Sequence, residues 1–207
     1  PEPIEFELIR DIIPINSVKY AILKPGYGYI RITNFQENTT KQLISSLEKL
    51  ESDKKIGGLK GLILDLRNNP GGLLTQAVSV SDVFLEQGQI LSVVGRDDNQ
   101  KEVFEARPDT VKRNYPIVVL VNGGSASASE IVAGALKDNK RALILGTSTF
   151  GKGSIQTIKV LRNGYGLKFT VARYYTPSGR SIQAKGIEPD IEVGYKIIDD
   201  FQESNTK

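Results

Sequence analysis

The sequence predicts an α/β fold, because apolar runs typical of buried strands alternate along the chain with helical patterns. Three such runs, at 62–66, 116–121 and 142–145, each end in a turn built of glycine and other small residues. Helical patterns follow the first two turns. If the three strands lie side by side, their turns meet at one edge of the sheet, where α/β proteins place their sites. We therefore expect the function at this edge.

The elements that precede these units also follow from local patterns. A short strand at 5–10 and a connector at 11–17 come first, then strands at 18–23 and 27–33 on either side of Lys24-Pro25-Gly26. An amphipathic helix at 39–52 places four apolar residues on one face and ends before Gly57-Gly58. The four are Leu43, Ile44, Leu47 and Leu50.

The later elements are a helix, several short strands and a hairpin. Residues 73–86 have a helical pattern, and so does the segment from Ile131 to Asn139. The predicted strands are 90–94, 102–106, 155–160, 167–175 and 187–193, with a hairpin turn at 162–164. The tail from residue 199 is polar and is expected to fray.

Composition excludes several classes of function. The chain has 207 residues, 39% of them hydrophobic, which suits one globular domain with a sizeable core. The net charge of +3 comes from scattered basic residues, so no nucleic-acid footprint is visible, and no apolar run is long enough to span a membrane. The absence of Met indicates that Pro1 is not a natural start, so we expect a fragment or a processed product.

The chain contains neither cysteine nor histidine. Without cysteine there are no disulfides, catalytic thiols or zinc–thiolate sites. Without histidine, the usual general base is missing. A nucleophilic serine here would need a lysine, a carboxylate or a terminal amine as its base, and Ser–Lys pairs are a known variant of the catalytic triad.

The serine-rich turn between residues 121 and 131 carries three hydroxyls just before a helix. One interpretation involves no chemistry: Ser127 and Glu130 have the spacing of a capping box. The other is that Ser127 is a nucleophile at the positive end of the helix. The local sequence favours the capping role and does not decide whether Ser127 is also a nucleophile.

The loop Gly146 to Ser154 also has two interpretations. It nearly matches a phosphate-binding loop, and the strand ending at Asp65 could supply a magnesium ligand. However, Gly153 stands where the metal-binding hydroxyl belongs, and residues 155–160 alternate like a strand rather than a helix. Alternatively, Lys152 is a general base, or simply a solvated lysine.

A lysine base must lose its proton near neutral pH. A free lysine has a pKa of about 10.4, and a base needs roughly 7–8, a difference that burial can supply where no acid is near. The neighbours of Lys152 are uncharged, as this requires. The N–H groups of Ala128 and of the Gly71-Gly72 turn could then form an oxyanion hole, unless that turn is an ordinary one without function.

Six motifs follow one another along residues 18–193. They are Gly28-Tyr29-Ile30-Arg31-Ile32, 64–72 (Leu-Asp-Leu-Arg-Asn-Asn-Pro-Gly-Gly), 125–130 (Ser-Ala-Ser-Ala-Ser-Glu), 149–156 (Thr-Phe-Gly-Lys-Gly-Ser-Ile-Gln), 175–180 (Tyr-Thr-Pro-Ser-Gly-Arg) and 185–190 (Lys-Gly-Ile-Glu-Pro-Asp). In this order they resemble the carboxy-terminal processing peptidases (tail-specific proteases), a family of Ser–Lys serine peptidases.

The resemblance assigns a role to each matching position. It places the nucleophile at Ser127, the general base at Lys152 and the residue that orients the lysine at Gln156. Because 152 and 156 are an even number of residues apart on an extended segment, we expect both side chains on one face. The oxyanion donors would be the N–H groups of Ala128 and Gly72, with Gly71 adjacent.

The resemblance also implies a fold and an activity. It implies an α/β core similar to the spiral fold of Clp protease and crotonase, with a mixed β-sheet and flanking helices. The implied activity is endopeptidase cleavage near flexible C-terminal tails, with no metal and no cofactor. The alternative is a catalytically idle peptide-binding or scaffold module of the same fold.

Domain organisation and cellular context follow from the same resemblance. Residues 1–17 would be a remnant or linker after an absent PDZ domain, 18–196 the peptidase core and 197–207 a flexible tail. The expected partners are polypeptides with unstructured C-termini, with no nucleic acid. The parent protein is expected to be exported, to the bacterial periplasm or another extracytoplasmic site, where it could be membrane-associated. It could be homo-oligomeric through segments missing here.

Overall fold

Two β-sheets and three α-helices form the part of the chain that the computed structural model describes, residues 16–52, 58–96, 101–108 and 111–194. The predicted strand at 5–10 and the predicted tail lie outside these residues. In chain order the elements are β1 (Val18–Lys24), β2 (Tyr27–Ile32), α1 (Thr39–Ser52), β3 (Gly61–Asp65), α2 (Leu74–Asp82), β4 (Gln89–Val94), β5 (Lys101–Glu105), β6 (Ile117–Val121), α3 (Ala128–Asp138), β7 (Ala142–Gly146), β8 (Ser154–Val160), β9 (Gly166–Tyr175) and β10 (Ile191–Glu192).

The larger sheet is mixed, as expected, with the strand order β1-β2-β3-β6-β7-β10. Only β1 runs antiparallel to its neighbour, and the other pairs are parallel. The strands β3, β6 and β7 are adjacent, so the turns that follow them meet at one edge. Backbone hydrogen bonds tie these turns together: the Ala126 N–H donates to the Asn69 carbonyl (2.9 Å) and the Phe150 N–H to the Ser125 carbonyl (3.0 Å).

The second sheet is antiparallel, with the order β5-β4-β9-β8. Its β8–β9 hairpin confirms the hairpin predicted from the alternating pattern and turns at a short 3₁₀ segment, Arg162–Gly164. The sequence did not predict that these strands form a separate sheet. The loop that carries Lys152 leads directly into β8, an edge strand within the described residues.

The helices join the two sheets. Helix α1 buries Leu43, Leu47 and Leu50 on the face predicted from its apolar periodicity. Helix α3 packs against β7 of the first sheet and β4 of the second. Every residue of α3 from Ala128 to Leu136 is buried, because a helix placed between two sheets has no solvent-facing side. The start of α3 is therefore held firmly in place.

Two predicted elements are shorter than expected. Helix α2 ends at Asp82 rather than at residue 86, because the N–H groups of Phe84 and Leu85 bond to carbonyls three residues back and tighten the chain into a turn. The strand predicted at 187–193 is reduced to Ile191–Glu192. The Ile187 N–H donates to the Thr149 hydroxyl, and proline at 189 has no N–H to pair.

Candidate active site

The three hydroxyls of the serine-rich turn have different environments. Ser125 is buried, where its Oγ donates to the Leu66 carbonyl (2.8 Å) and accepts from the Asn122 N–H (3.0 Å). Ser129 is also buried, and its Oγ donates to the Asn69 carbonyl (3.0 Å). Ser127 is only half-buried and lines a cavity. Of the three, Ser127 alone is placed to meet a ligand.

Ser127 has a strained backbone. Its φ of 56° and ψ of −113° are unusual for a residue with a side chain, at a cost of about 1–3 kcal/mol. It is the N-cap of α3, and half of the predicted capping box with Glu130 is present: the Ser127 N–H donates to Glu130 Oε2 (2.7 Å). The Glu130 N–H donates to the Ser127 carbonyl (2.9 Å) and not to its hydroxyl, so the side chain of Ser127 does not cap the helix. A sharp turn held in this way exposes the serine side chain.

The Glu130 carboxylate does more than cap the helix. It is fully buried and accepts four hydrogen bonds, one from Ser127 and three from the loop that carries Lys152. Those three come from Thr149 Oγ1 (2.6 Å), the Gly151 N–H (2.6 Å) and the Lys152 N–H (2.9 Å). Glu130 therefore fixes the backbone of Lys152 relative to that of Ser127. The sequence analysis recognised only its capping role.

The glycine turn after β3 lies directly against Ser127. A Cβ added to Gly71, whose φ is +103°, would come within 2.8 Å of Ser127 Cβ and 3.0 Å of the Ala128 nitrogen. The buried side chain of Asn69 holds this turn, because its Oδ1 accepts the Gly71 N–H (2.9 Å) while its Nδ2 donates to the Ile32 carbonyl (2.8 Å). Glycine is required at position 71 because a side chain would collide with Ser127, and because the positive φ is unfavourable for other residues.

Two N–H groups next to Ser127 have no acceptor within the described residues, those of Gly72 and Ala128. The Ala128 N–H belongs to the first residue of α3, whose amides have no partner inside the helix. Gly72 lies opposite Phe35 in an isolated bridge, but the residues directly before and after Gly72 make the hydrogen bonds of that bridge. Both residues line the same cavity as Ser127, an arrangement that can stabilise negative charge on an oxygen.

The cavity has a volume of about 290 Å³ and is partly open to solvent. Leu74, Ile131 and Ile155 contribute apolar wall. Its polar lining includes Ser127, Lys152, Gln156, Lys168 and Tyr174. The described residues that line it include two lysines and no acidic side chain, so the cavity carries no carboxylate to pair with Lys152.

Lys152 lies at this cavity, as predicted, but it is not buried. Its side chain is exposed and, within the described part of the chain, its ammonium makes no hydrogen bond or ion pair. The expectation of a lysine kept dry by the protein is thus wrong for this conformation. The reason is that the lysine precedes an edge strand, beyond which no other described element covers it.

Gln156 also lines the cavity, on the same side as Lys152. Strand β8 begins only at Ser154, so strand alternation by itself does not extend back to Lys152. The register of β8 with β9 shifts between Ile155 and Gln156, and the extra residue of this bulge, Val171, lies in β9 and leaves the alternation along β8 intact.

Tyr174 is a site residue that the sequence analysis missed. It is 2% exposed, lines the cavity, and donates a hydrogen bond from its hydroxyl to the Lys152 carbonyl. Burial raises the pKa of the Tyr174 phenol, a hydrogen bond with the Ser127 side chain opposes this shift, and the Glu130 charge adds to it. No sequence signal distinguishes Tyr174 from an ordinary core residue of its strand.

The phosphate-loop interpretation does not fit the structure. The segment after the loop is strand β8, so the loop does not open the helix that a phosphate-binding loop requires. Asp65 is also engaged. Its buried carboxylate accepts hydrogen bonds from Arg67 (2.7 and 2.9 Å) and from the Tyr29 hydroxyl (2.6 Å), so it is not free to bind a metal.

Comparison with known proteins now identifies the family. The protein-family model described as Peptidase family S41 matches residues 26–193. The chain belongs to peptidase family S41. It is 50% identical over 201 residues to the carboxy-terminal-processing protease of Bartonella bacilliformis, covering 97% of this chain and 46% of that protein. It is 42% identical over 189 residues to a carboxy-terminal processing protease of Bacillus subtilis, covering 91% and 40% of the two chains.

A solved structure agrees with this assignment. The chain matches a photosystem II D1 C-terminal processing protease with a TM-score of 0.77 and 39% identity, covering 88% of this chain and 49% of that one. This S41 chain thus spans about half the length of the relatives it matches. None of its described helices has the length and apolar character needed to cross a membrane.

Proposed function

We propose that this S41 chain is a serine endopeptidase that cleaves polypeptides near flexible C-terminal tails, with Ser127 as nucleophile and Lys152 as general base. One observation carries the proposal: Ser127, alone among the three serines of its turn, shares a cavity with Lys152 and with two N–H groups that have no acceptor among the described residues. The names of its relatives support the choice of C-terminal processing.

The first step is attack on the peptide carbonyl. The neutral Lys152 amine takes the proton from Ser127 Oγ as the oxygen bonds to the carbonyl carbon. The carbonyl oxygen becomes negative and accepts hydrogen bonds from the N–H groups of Ala128 and Gly72. The positive end of helix α3 also faces this charge.

The second step releases the amine and then the acid. Protonated Lys152 gives its proton to the leaving nitrogen, so the C–N bond breaks and an acyl-enzyme ester remains on Ser127. Water attacks the ester carbonyl as Lys152 takes a proton from that water. Lys152 then gives this proton to Ser127 Oγ as the ester C–O bond breaks, which releases the acid and restores the neutral amine. Protons balance over the cycle without a metal or cofactor.

Lys152 must move to reach Ser127, because the two are not hydrogen-bonded in this conformation. Its backbone is fixed by Glu130, so only the flexible side chain has to rotate. A substrate that fills the cavity excludes water from the amine, which disfavours its charged form. The Gln156 amide can orient the amine without adding the negative charge that would keep it protonated.

An extended substrate can bind by strand addition. Among the described strands, β8 pairs only with β9 and leaves its other edge unpaired. This edge starts at Ser154, two residues after Lys152. A flexible tail that adds to it would form backbone hydrogen bonds and lead its scissile bond past Ser127. Folded segments cannot adopt this conformation, which accounts for a preference for unstructured tails.

The proposal extends to the parent protein. The family resemblance supports an exported protease that is homo-oligomeric through segments other than this one, with residues 18–196 as its peptidase core. Fractionation of cells that produce the full-length parent would test the location. Recovery of the protein in the cytoplasm would contradict it.

A fluorophosphonate probe tests the nucleophile. Wild-type protein should be labelled, Ser127→Ala should not, and Ser125→Ala should remain labelled because its hydroxyl faces the core. Equal labelling of wild type and Ser127→Ala, or none in either, would favour the idle peptide-binding module.

Cleavage of an unfolded test protein tests the base. Lys152→Ala should abolish turnover without lowering the melting temperature, because the exposed side chain makes no hydrogen bond or ion pair with the residues that the structure describes. Lys168→Ala is the matched control, since Lys168 lines the same cavity but has no role in the proposed mechanism. Full turnover by Lys152→Ala would remove lysine from the mechanism.

A further inference from the structure

We propose that Tyr174 is the residue that positions the catalytic base: its hydroxyl holds the Lys152 carbonyl in place on the wall of the cavity that contains Ser127. This inference rests on the proposed Ser–Lys mechanism and adds a residue to it. Tyr174 is a positioning residue, because it acts on substrate through Lys152 and not by direct contact.

The peptide groups around Lys152 are held from two sides. On one side, Glu130 accepts the N–H groups of Gly151 and Lys152 (2.6 and 2.9 Å). On the other side, Tyr174 binds two consecutive carbonyls: its hydroxyl donates to that of Lys152 and its backbone N–H to that of Gly153 (3.0 Å). Without the phenol, the Lys152 carbonyl would have no partner within the described residues.

This clamp matters because Lys152 is fixed only through its backbone. Its side chain is exposed and makes no hydrogen bond or ion pair in the part of the chain that is described. Its reach toward Ser127 therefore depends on the position of its backbone, which Glu130 and Tyr174 hold together. An error of about 1 Å in the placement of a catalytic group can cost about a hundredfold in rate.

The phenol is also next to the nucleophile. Tyr174 and Ser127 line the same cavity, and their side chains are close enough for the serine to influence the titration of the phenol. One buried tyrosine thus bonds the backbone of the proposed base and lines the cavity that contains the proposed nucleophile. A phenylalanine of the same shape cannot make this hydrogen bond.

The test compares Tyr174→Phe with Tyr175→Phe, the adjacent tyrosine of the same strand, which does not line this cavity. Tyr174→Phe keeps the ring and the backbone bond to Gly153, so the fold should survive, as a melting curve will verify. We expect kcat to fall about ten- to a hundredfold with KM unchanged, because positioning is lost but substrate binding is not. Tyr175→Phe should keep both constants.

Amide hydrogen exchange gives a readout that does not depend on catalysis. Exchange at residues 151–153 should be about tenfold faster in Tyr174→Phe, the effect of losing one buried hydrogen bond, while helix α3 is unchanged. Unchanged loop exchange, or faster exchange with full kcat, would overturn the inference. If wild type itself cleaves nothing, the proposed function fails, and loop exchange alone then decides whether Tyr174 holds Lys152.

Discussion

Substitution of Gly71 by alanine tests whether the site needs the close approach of this residue to Ser127, as distinct from its positive φ. In Gly71→Ala the new Cβ would lie 2.8 Å from the Ala126 carbonyl oxygen and from Ser127 Cβ, and 3.0 Å from the Ala128 nitrogen. Restoring ordinary contact at 3.4 Å requires the two loops to separate by about 0.6 Å. Oxyanion donors act only within about 2.7–3.1 Å, so such a shift disables the Ala128 N–H.

The expected loss follows from the value of one such donor. Removing an oxyanion donor lowers kcat by about 10²–10³. The positive φ adds a stability cost of about 1–3 kcal/mol, which lowers the melting temperature by a few degrees in a chain of this size. Steady-state cleavage of an unfolded protein and a thermal melt measure the two effects separately.

Gly164→Ala is the matched control. Gly164 has a similar positive φ of +80°, but no atom lies within 4 Å of the Cβ position. It should show the stability loss with full kcat. Equal kcat values for Gly71→Ala and Gly164→Ala would refute the reasoning that Gly71 is required by its approach to Ser127.

Three further outcomes are expected. Ser125→Ala leaves the Asn122 N–H without its acceptor and removes one of the two donors to the Leu66 carbonyl. Urea denaturation should therefore show a loss of about 1–3 kcal/mol with Ser127 still labelled by the probe, and an unchanged midpoint would contradict this. Glu130→Gln replaces one of two acceptor oxygens by a donor facing N–H groups. It should cost about 2 kcal/mol or more and slow labelling, whereas wild-type labelling would show that the carboxylate is dispensable. Burial by itself raises the pKa of the Asp65 carboxyl, but hydrogen bonds from Arg67 and Tyr29 outweigh it and lower the pKa. Its stabilising contribution is therefore complete above the unfolded-state pKa of about 3.9 and is lost as pH falls through the lower folded-state value, so urea midpoints measured from pH 5 to 2 should fall less steeply in Asp65→Asn.

Much of the fold could be predicted because its signals are local. The apolar period of residues 39–52 defines helix α1 to the residue, and the apolar runs before the three turns become β3, β6 and β7. Boundaries that depend on distant partners were missed. Helix α2 ends early at a turn, and the last strand is short because Ile187 donates to Thr149.

The proposed site was predictable to the same degree. Motif order placed Ser127, Lys152 and the glycine turn together, and the structure brings them to one cavity. Tyr174 could not be predicted from the sequence, because a tyrosine in an apolar strand has the pattern of a core residue. Only the structure shows that its hydroxyl donates to the Lys152 carbonyl. The exposure of Lys152 was also invisible in sequence, since it depends on which strand forms the edge of the sheet.

By itself the sequence determined the α/β class, the family resemblance and the candidate residues. Periodicity, motif order and missing residue types depend only on the order of residues along the chain, so no knowledge of contacts is needed to recognise them. It also excluded cysteine and histidine chemistry outright. Only the tertiary structure decided which serine faces the cavity and which are buried in hydrogen bonds to the backbone. It alone showed that one buried carboxylate, Glu130, ties the serine turn to the lysine loop. These are contacts between residues far apart in the chain, and local pattern contains no information about them.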